Sequence, residues 1–375
     1  MILPGATLGV LGGGQLGRMF TLAAISMGYR VVVLDPDPHS PAGHIADQHI
    51  QASYQDHAAL QMLGDECMAV TTEFENVPAE SMEYLETLCQ VRPNASALRI
   101  AQDRIREKNW LQELSLPTAP FATIYEAGDL DDAVAELDAP MLLKTASLGY
   151  DGKGQIRIMT LDEAYAAFST LGDKPCILEE VIDLEREISV ILARDVNGHS
   201  EVYPVGENRH RNGILDTTIV PAAITEDMRS EATGMATRLA DAMNYCDVLA
   251  VELFCTRDDE LLINEIATRP HNSGHYTVDA CATSQFEQQV RVMCGLPPGD
   301  ASQHSPVVMT NLLGDIWAGG EPDWETILGQ PCAHLHLYGK REARRGRKMG
   351  HFNCLAESAD SALAVVSGIR KELKF

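Results

Sequence analysis

Val248-Leu249-Ala250-Val251-Glu252-Leu253-Phe254 and Leu261-Leu262-Ile263-Asn264-Glu265-Ile266 flank a polar turn, Thr256-Arg257-Asp258-Asp259-Glu260. Both flanking runs are strand-like and mostly apolar, and each carries a glutamate. If the hairpin turns about Asp258-Asp259, positions 252 and 265 are equidistant from its centre. They then face each other across the strands with side chains on one face. Two opposed carboxylates repel unless something neutralises them, and an octahedral Mg²⁺ does so. Asn264 offers a neutral oxygen ligand, although strand alternation starts its side chain on the opposite face. A surface hairpin with incidental acids is the alternative; the apolar flanks, where an unpaired charge is costly, speak against it.

Directly downstream lies Arg269-Pro270-His271-Asn272-Ser273-Gly274-His275, a loop whose Arg, His, Asn and Ser suit a bound anion. His271 and His275 have i, i+4 spacing, but Asn-Ser-Gly between them disfavours a helix and therefore a zinc pair. Upstream, Lys144 precedes Ser147-Leu148-Gly149-Tyr150-Asp151-Gly152-Lys153-Gly154-Gln155, with three glycines in six residues between two strand-like runs. Backbone amides of such a loop can fold over phosphates beside the fixed cation Lys144. The Walker A order is missing. Near the C-terminus, Lys340 to Lys348 carries six cations in nine residues. The Gly346 turn and the bracketing strand-like segments favour a phosphate-binding loop over a solvated tail.

The first glycine-rich stretch, Gly12-Gly13-Gly14-Gln15-Leu16-Gly17, follows a strand and opens a helix, with Asp35 ending the next strand. Alone it is a dinucleotide fingerprint. A nicotinamide dehydrogenase has no need of the second phosphate-handling loop, so that reading ranks second.

A chain of 375 residues predicts two or three domains. Its 45% hydrophobic and 22% charged residues are those of a globular protein. No apolar run is long enough to span a membrane. The N-terminus lacks a basic n-region and cleavage pattern, so a cytoplasmic location is expected. Nine cysteines without a Cys-x-x-Cys pair read as free thiols. The net charge of −25 argues against a nucleic-acid partner.

Strand-like and helix-like runs alternate from the start: Thr7–Leu11, 15–27, 31–34, then a helix at 79–89. This βαβ order predicts α/β architecture with a parallel sheet. Further helices are predicted at 103–114, 161–171 and 228–243, one after Phe286 and one at the C-terminus. Further strands are predicted at 141–145, 155–159, 176–180, 187–192, 202–204, 307–311 and 334–338. The divisions expected are 1–102 (N-terminal βαβ), 103–185 (linker helix and small lid), 186–300 (catalytic unit) and 301–375 (a segment packed on it).

Together the glycine loop at 149–155 and the glutamate pair resemble the ATP-grasp superfamily. Gly12–Met19, Thr72-Glu73-Phe74-Glu75-Asn76-Val77-Pro78 and Gln102-Asp103-Arg104 also carry the resemblance, and His271–His275 and Gly346-Arg347-Lys348-Met349-Gly350-His351 carry a narrower one within it. They are similar to the 5-(carboxyamino)imidazole ribonucleotide synthases over essentially the whole chain. The resemblance implies an α+β architecture overall, with pre-grasp, lid and catalytic domains, and ATP-dependent carboxylation of aminoimidazole ribonucleotide by bicarbonate through carboxyphosphate. It also implies a homodimer. Another ligase acting on a phosphoribosyl amine is the nearest alternative.

By the same resemblance, Arg104 and Lys144 contact ATP phosphates and the loop Gly149, Tyr150, Asp151, Gly152, Lys153, Gly154 and Gln155 closes over them. Glu179, Glu180, Val181 and Ile182 receive the adenine edge, Glu187 holds the ribose, and His210 lies on the nucleotide side. Asn264 with Glu252 and Glu265 holds one or two Mg²⁺ ions. Gln15, Tyr150, Asp151, Lys153, Arg269, His271, Asn272, Ser273, Lys340 and Arg347 hold ribonucleotide and bicarbonate, with Arg269, Lys348 and Tyr150 nearest the chemistry. Thr268, where many members carry proline, and Ala146-Ser147-Leu148, where some carry arginines, depart from the family pattern.

Overall fold

The computed structural model describes residues 1–147, 154–373 and 375. Among these, the strands fall into three sheets. The first is parallel, in the order β3 (Gln48–Ile50), β2 (Arg30–Leu34), β1 (Thr7–Leu11), β4 (Ala69–Thr72), β5 (Gln90–Val91). Its inner strands are near-continuous apolar runs because both faces are covered. Val31 and Val33 pack toward the helices Gln15–Ser26 and Gln285–Met293, whereas Val32 and Leu34 pack toward His57–Glu66 and Ala79–Glu86.

The second sheet is antiparallel: β6 (Phe121–Ile124), β9 (Cys176–Glu180), β7 (Met141–Thr145) and β8 (Gln155–Ile158). Leu143, Leu178 and Ile158 bury its inner face with Ala133, Ala164 and Phe168 of the helices Leu130–Glu136 and Leu161–Thr170. The register sets Lys144 opposite Gln155, and the Thr145 N–H donates to Gly154 O at 2.9 Å.

The third sheet is antiparallel, in the order β15 (Leu261–Ala267), β14 (Asp247–Thr256), β10 (Leu184–Arg194), β12 (Gly206–Arg211), β13 (Ile214–Val220), β16 (Val307–Leu313), β18 (Lys348–Leu355), β17 (Ala333–Leu337); β11 (Ser200–Val202) pairs with β10. β10 alternates strictly: Ile188, Val190 and Leu192 face the helix Glu226–Ala242, while Ile191 and Ala193 join Tyr276 and Val292 on the other side. Strands β16 to β18, from the C-terminal region, continue this same sheet. The β12–β13 hairpin, absent from the sequence-based expectation, closes on Asn212-Gly213, both with positive φ (54° and 75°), the two-residue turn that matches strand twist.

The helix Arg104–Glu113 bridges the second and third sheets. Asp103 caps it, its carboxylate accepting from the Arg106 N–H at 3.0 Å, and the Arg104 N–H donates to Ala146 O at 2.8 Å. That end therefore points Arg104 toward the space between the sheets. No helix among the described residues is long and apolar enough to cross a membrane. All nine cysteines, each a described residue, are free thiols.

Candidate active site

A cavity of about 350 Å³ opens where the three sheets meet. β7 and β8 supply Lys144 and Gln155, β10 and β12 supply Glu187 and His210, and β14 and β15 supply Glu252, Asn264 and Glu265. Glu75, Gln102, Arg104, Glu107, Arg269, His271, Asn272 and Lys348 add further polar groups to the lining.

Glu252 pairs directly with Glu265 across β14 and β15, as the sequence predicts. Nearer the turn the register differs: Leu253 pairs with Ile263, Phe254 with Leu262 and Cys255 with Leu261. The turn centres on Asp258, with Asp259 in the left-handed region (φ 61°), and Asn264 is the extra residue of a β-bulge. The bulge breaks the alternation and turns Asn264 toward the same cavity as Glu265. The expected placement of Asn264 on the opposite face is thereby corrected. Burial, and after it the neighbouring Glu265, pushes the Glu252 carboxyl up to about 8.

His271 lies beside Glu252. Its Nδ1 accepts from the Ser273 N–H at 3.3 Å and lies 2.8 Å from Ser273 Oγ. Ser189 Oγ donates to Ser273 Oγ at 2.8 Å, which leaves the Ser273 hydroxyl proton for Nδ1. The imidazole proton therefore sits on Nε2, 3.4 Å from Glu252 Oε1. Burial, then Arg269 and Lys348, hold this histidine well below the usual imidazole range, hence neutral.

On the lid side, Glu179 is 3% exposed and lies between two lysines, 2.5 Å from Lys144 Nζ and 3.5 Å from Lys108 Nζ. Burial opposes its ionisation, but Lys108 and Lys144 override this and hold it at about 2. Its carboxylate thus anchors Lys144, beside the strand end that the resemblance assigns to the adenine edge. Glu180 Oε1 accepts from the Asp138 N–H at 2.9 Å, and the N–H groups of Glu180 and Val181 donate to Pro120 O and Pro140 O. Ile182 follows, two residues before β10. His210 Nδ1 lies 2.8 Å from Glu187 Oε2; burial would lower this imidazole, but the Glu187 hydrogen bond raises it. Gly149, Tyr150, Asp151, Gly152 and Lys153 lie outside the described residues, whereas Gly154 (φ 74°) leads into β8.

At the opposite end, Lys340 bonds both Gln15 and Lys348 O, joining the first glycine loop to the basic loop. Arg347 donates to Glu342 O at 2.9 Å within its own loop, and Arg344 and Arg345 pair with Glu342 and Asp315. Lys348 is the member of that run in the cavity lining. Arg269 Nη2 sits 2.5 Å from Glu75 Oε1. The Asn272 amide nitrogen and oxygen are buried without a partner among the described residues, although the residue lines the cavity. Buried polar atoms are ordinarily paired, which makes this amide an exception.

Three amides of the N-terminal fingerprint, those of Gly13, Gly14 and Gly17, are taken by the chain's own carboxylates. The Glu73 carboxylate bonds the N–H groups of Gly14 and Gly17, and Asp35 Oδ2 accepts from the Gly13 N–H at 2.6 Å. The positive helix end is occupied by the chain's own carboxylate. Asp35, the expected ribose reader of a dehydrogenase, is spent on Gly13, the Asp37 N–H and the Tyr54 hydroxyl.

Among the described residues no group of three or more His, Cys, Asp or Glu could hold a metal alone. Glu252, Glu265 and Asn264 are nevertheless hard oxygen donors on one face, and a cation bound there would favour the ionised form of both carboxylates. Such a partial set fits Mg²⁺, which keeps positions for water and phosphate.

Three family models match the chain in order: a ribonucleotide synthetase preATP-grasp domain over residues 5–102, an ATP-grasp domain over 109–286, and a phosphoribosylaminoimidazole carboxylase C-terminal domain over 307–365. The N5-carboxyaminoimidazole ribonucleotide synthase of Brucella melitensis is 45% identical across 93% of this chain and 96% of its own length. An N5-carboxyaminoimidazole ribonucleotide synthetase solved as its ADP complex superposes with a TM-score of 0.93 at 44% identity, covering 99% of this chain and 97% of that one. The synthase of Aspergillus clavatus, solved with ADP and 5-aminoimidazole ribonucleotide, gives 0.90 at 31% identity, covering 98% of both chains. On this evidence the chain belongs to the N5-carboxyaminoimidazole ribonucleotide synthase family of the ATP-grasp superfamily.

Proposed function

We propose that this chain is an ATP-dependent carbon–nitrogen ligase that carboxylates the amine of 5-aminoimidazole ribonucleotide with bicarbonate, in purine biosynthesis. The carrying observation is the opposed pair Glu252 and Glu265, with Asn264 turned beside it, in one cavity with Lys144, Arg104 and Arg269. Phosphoryl transfer needs positioning and charge neutralisation more than covalent help. When bound at the pair, Mg²⁺ would supply neutralisation of the phosphate oxygens. Lys144, held by Glu179, and Arg104 would take the remaining phosphate charge. Glu187 and His210 would face the nucleotide, with Glu180, Val181 and Ile182 at its base edge.

A bicarbonate oxygen attacks the γ-phosphorus and ADP leaves. The carboxyphosphate then breaks its carbon–oxygen bond to give carbon dioxide and phosphate. The substrate amine attacks that carbon and loses a proton to form the carbamate. Arg269 and Lys348 would hold bicarbonate and its anionic products, with Tyr150 beside them. Gln15, His271, Asn272, Ser273, Lys340 and Arg347 would hold the ribonucleotide with Asp151 and Lys153. Carboxyphosphate hydrolyses readily, so the loop Gly149–Gln155 has a purpose as a water-excluding cover. The working divisions are 1–102, 103–185, 186–300 and 301–375, and the enzyme is read as a cytoplasmic homodimer.

The route is tested with ¹⁸O-labelled bicarbonate: one label per turnover should appear in phosphate. Label-free phosphate would remove carboxyphosphate from the reaction. Alanine in place of Arg347 should raise the KM for ribonucleotide by about tenfold and leave that for ATP within twofold; an unchanged ribonucleotide KM would take Arg347 out of the substrate site.

The Glu252 carboxyl, at about 8, gives a pH dependence. Below that value the proton competes with the metal, so apparent Mg²⁺ affinity should rise with pH toward about 8 by up to roughly tenfold per unit, then level off. Mg²⁺ titrations at successive pH values would show it, and a flat affinity would contradict the assignment.

A further inference from the structure

We propose that Glu107 and Lys108, on the helix Arg104–Glu113, are positioning residues that clamp the β15 bulge and thereby aim Asn264 and Glu265. This rests on the reading of the glutamate pair as the Mg²⁺ site. β15 is the edge strand of its sheet, so its outer backbone groups need partners from elsewhere. Before the bulge, the Ile263 N–H donates to Pro117 O at 2.8 Å, and Ile263 O accepts from Thr118 Oγ1 at 2.9 Å and Lys108 Nζ at 3.2 Å. After it, the Ile266 N–H donates to Glu107 Oε1 at 3.0 Å. Outward groups of a regular strand recur every second residue; here Ile263 and Ile266 both point outward, as one inserted residue requires.

Asn264 and Glu265 lie between these two tethers. Glu107 and Lys108 are 2% and 3% exposed, a burial that charged side chains rarely reach without partners. One turn earlier on the same helix, Arg104 Nη1 reaches Glu265 Oε2 at 3.4 Å. The helix therefore fixes the bulge from outside and the carboxylate from inside. A regular β15 would return Asn264 to the far face and slip the 252–265 pairing.

The test follows Mn²⁺ binding to the ADP complex by electron paramagnetic resonance, with amide exchange over residues 261–268. Glu107→Leu should weaken Mn²⁺ binding by about tenfold or more and speed exchange at Ile266. Glu107→Gln keeps the acceptor oxygen and should stay within about threefold of wild type. A folded Glu107→Leu protein with wild-type Mn²⁺ affinity would overturn the clamp. If that variant does not fold, the wild-type protein decides: an Ile266 amide protected like those of β14 supports the clamp, and one that exchanges freely overturns it. Glu265→Gln is the control. Mn²⁺ binding retained there would remove the metal site itself, a failure distinct from that of the clamp alone.

Discussion

Glutamine at position 265 is expected to lower ATP turnover by about three orders of magnitude and to leave the fold intact. Metal-assisted charge stabilisation contributes several kcal/mol to phosphoryl transfer, and about 4 kcal/mol corresponds to roughly a thousandfold in rate. The substitution keeps shape and removes one charge. Glu265 faces Glu252 directly and raises its carboxyl, so removing that charge relieves a repulsion that offsets the loss of the long, 3.4 Å contact with Arg104. Turnover should collapse while the thermal midpoint holds or rises. Saturating-substrate kinetics beside a thermal melt would separate the two, and turnover within tenfold of wild type would defeat the metal assignment.

Leucine at position 179 should instead act on stability, by about 3–5 kcal/mol, because it strands a buried cation. Lys108 is 3% exposed and Glu179 lies 3.5 Å from its Nζ. Lys144 is the second lysine of the trio. Chemical denaturation should show the loss, and adding Lys108→Met should recover part of it by removing the stranded charge. A Glu179→Leu protein of normal stability, altered only in its KM for ATP, would return Glu179 to the nucleotide contacts that the resemblance implied.

Much of this was legible because several segments state their structure locally. Thr7–Leu11, Met141–Thr145 and Cys176–Glu180 fall at the expected residues, being short apolar runs between clear breakers. The Glu252–Glu265 pairing was legible, although from a turn placed half a residue too late, an offset that the bulge makes good. The bulge at Asn264 was not, since a bulge is set by what lies against the strand edge, and the residues against it come from a helix about 160 positions earlier. Glu107 and Lys108 sit mid-helix in a polar stretch that gives no sign of burial. Strand β12, Gly-Glu-Asn-Arg-His-Arg, is polar enough to hide its hairpin, although Asn212-Gly213 was the available signal. The occupation of the first glycine loop by Glu73 joins residues nearly sixty positions apart. Only the Thr72–Pro78 resemblance touched that residue, without its role.

ADP release in the presence of ATP, Mg²⁺ and bicarbonate, measured with and without aminoimidazole ribonucleotide, decides whether that ribonucleotide is the acceptor. Strong stimulation by the ribonucleotide is expected, and it should disappear when bicarbonate is withheld. Release that is indifferent to the ribonucleotide would contradict the proposed acceptor and send the search to other phosphoribosyl amines.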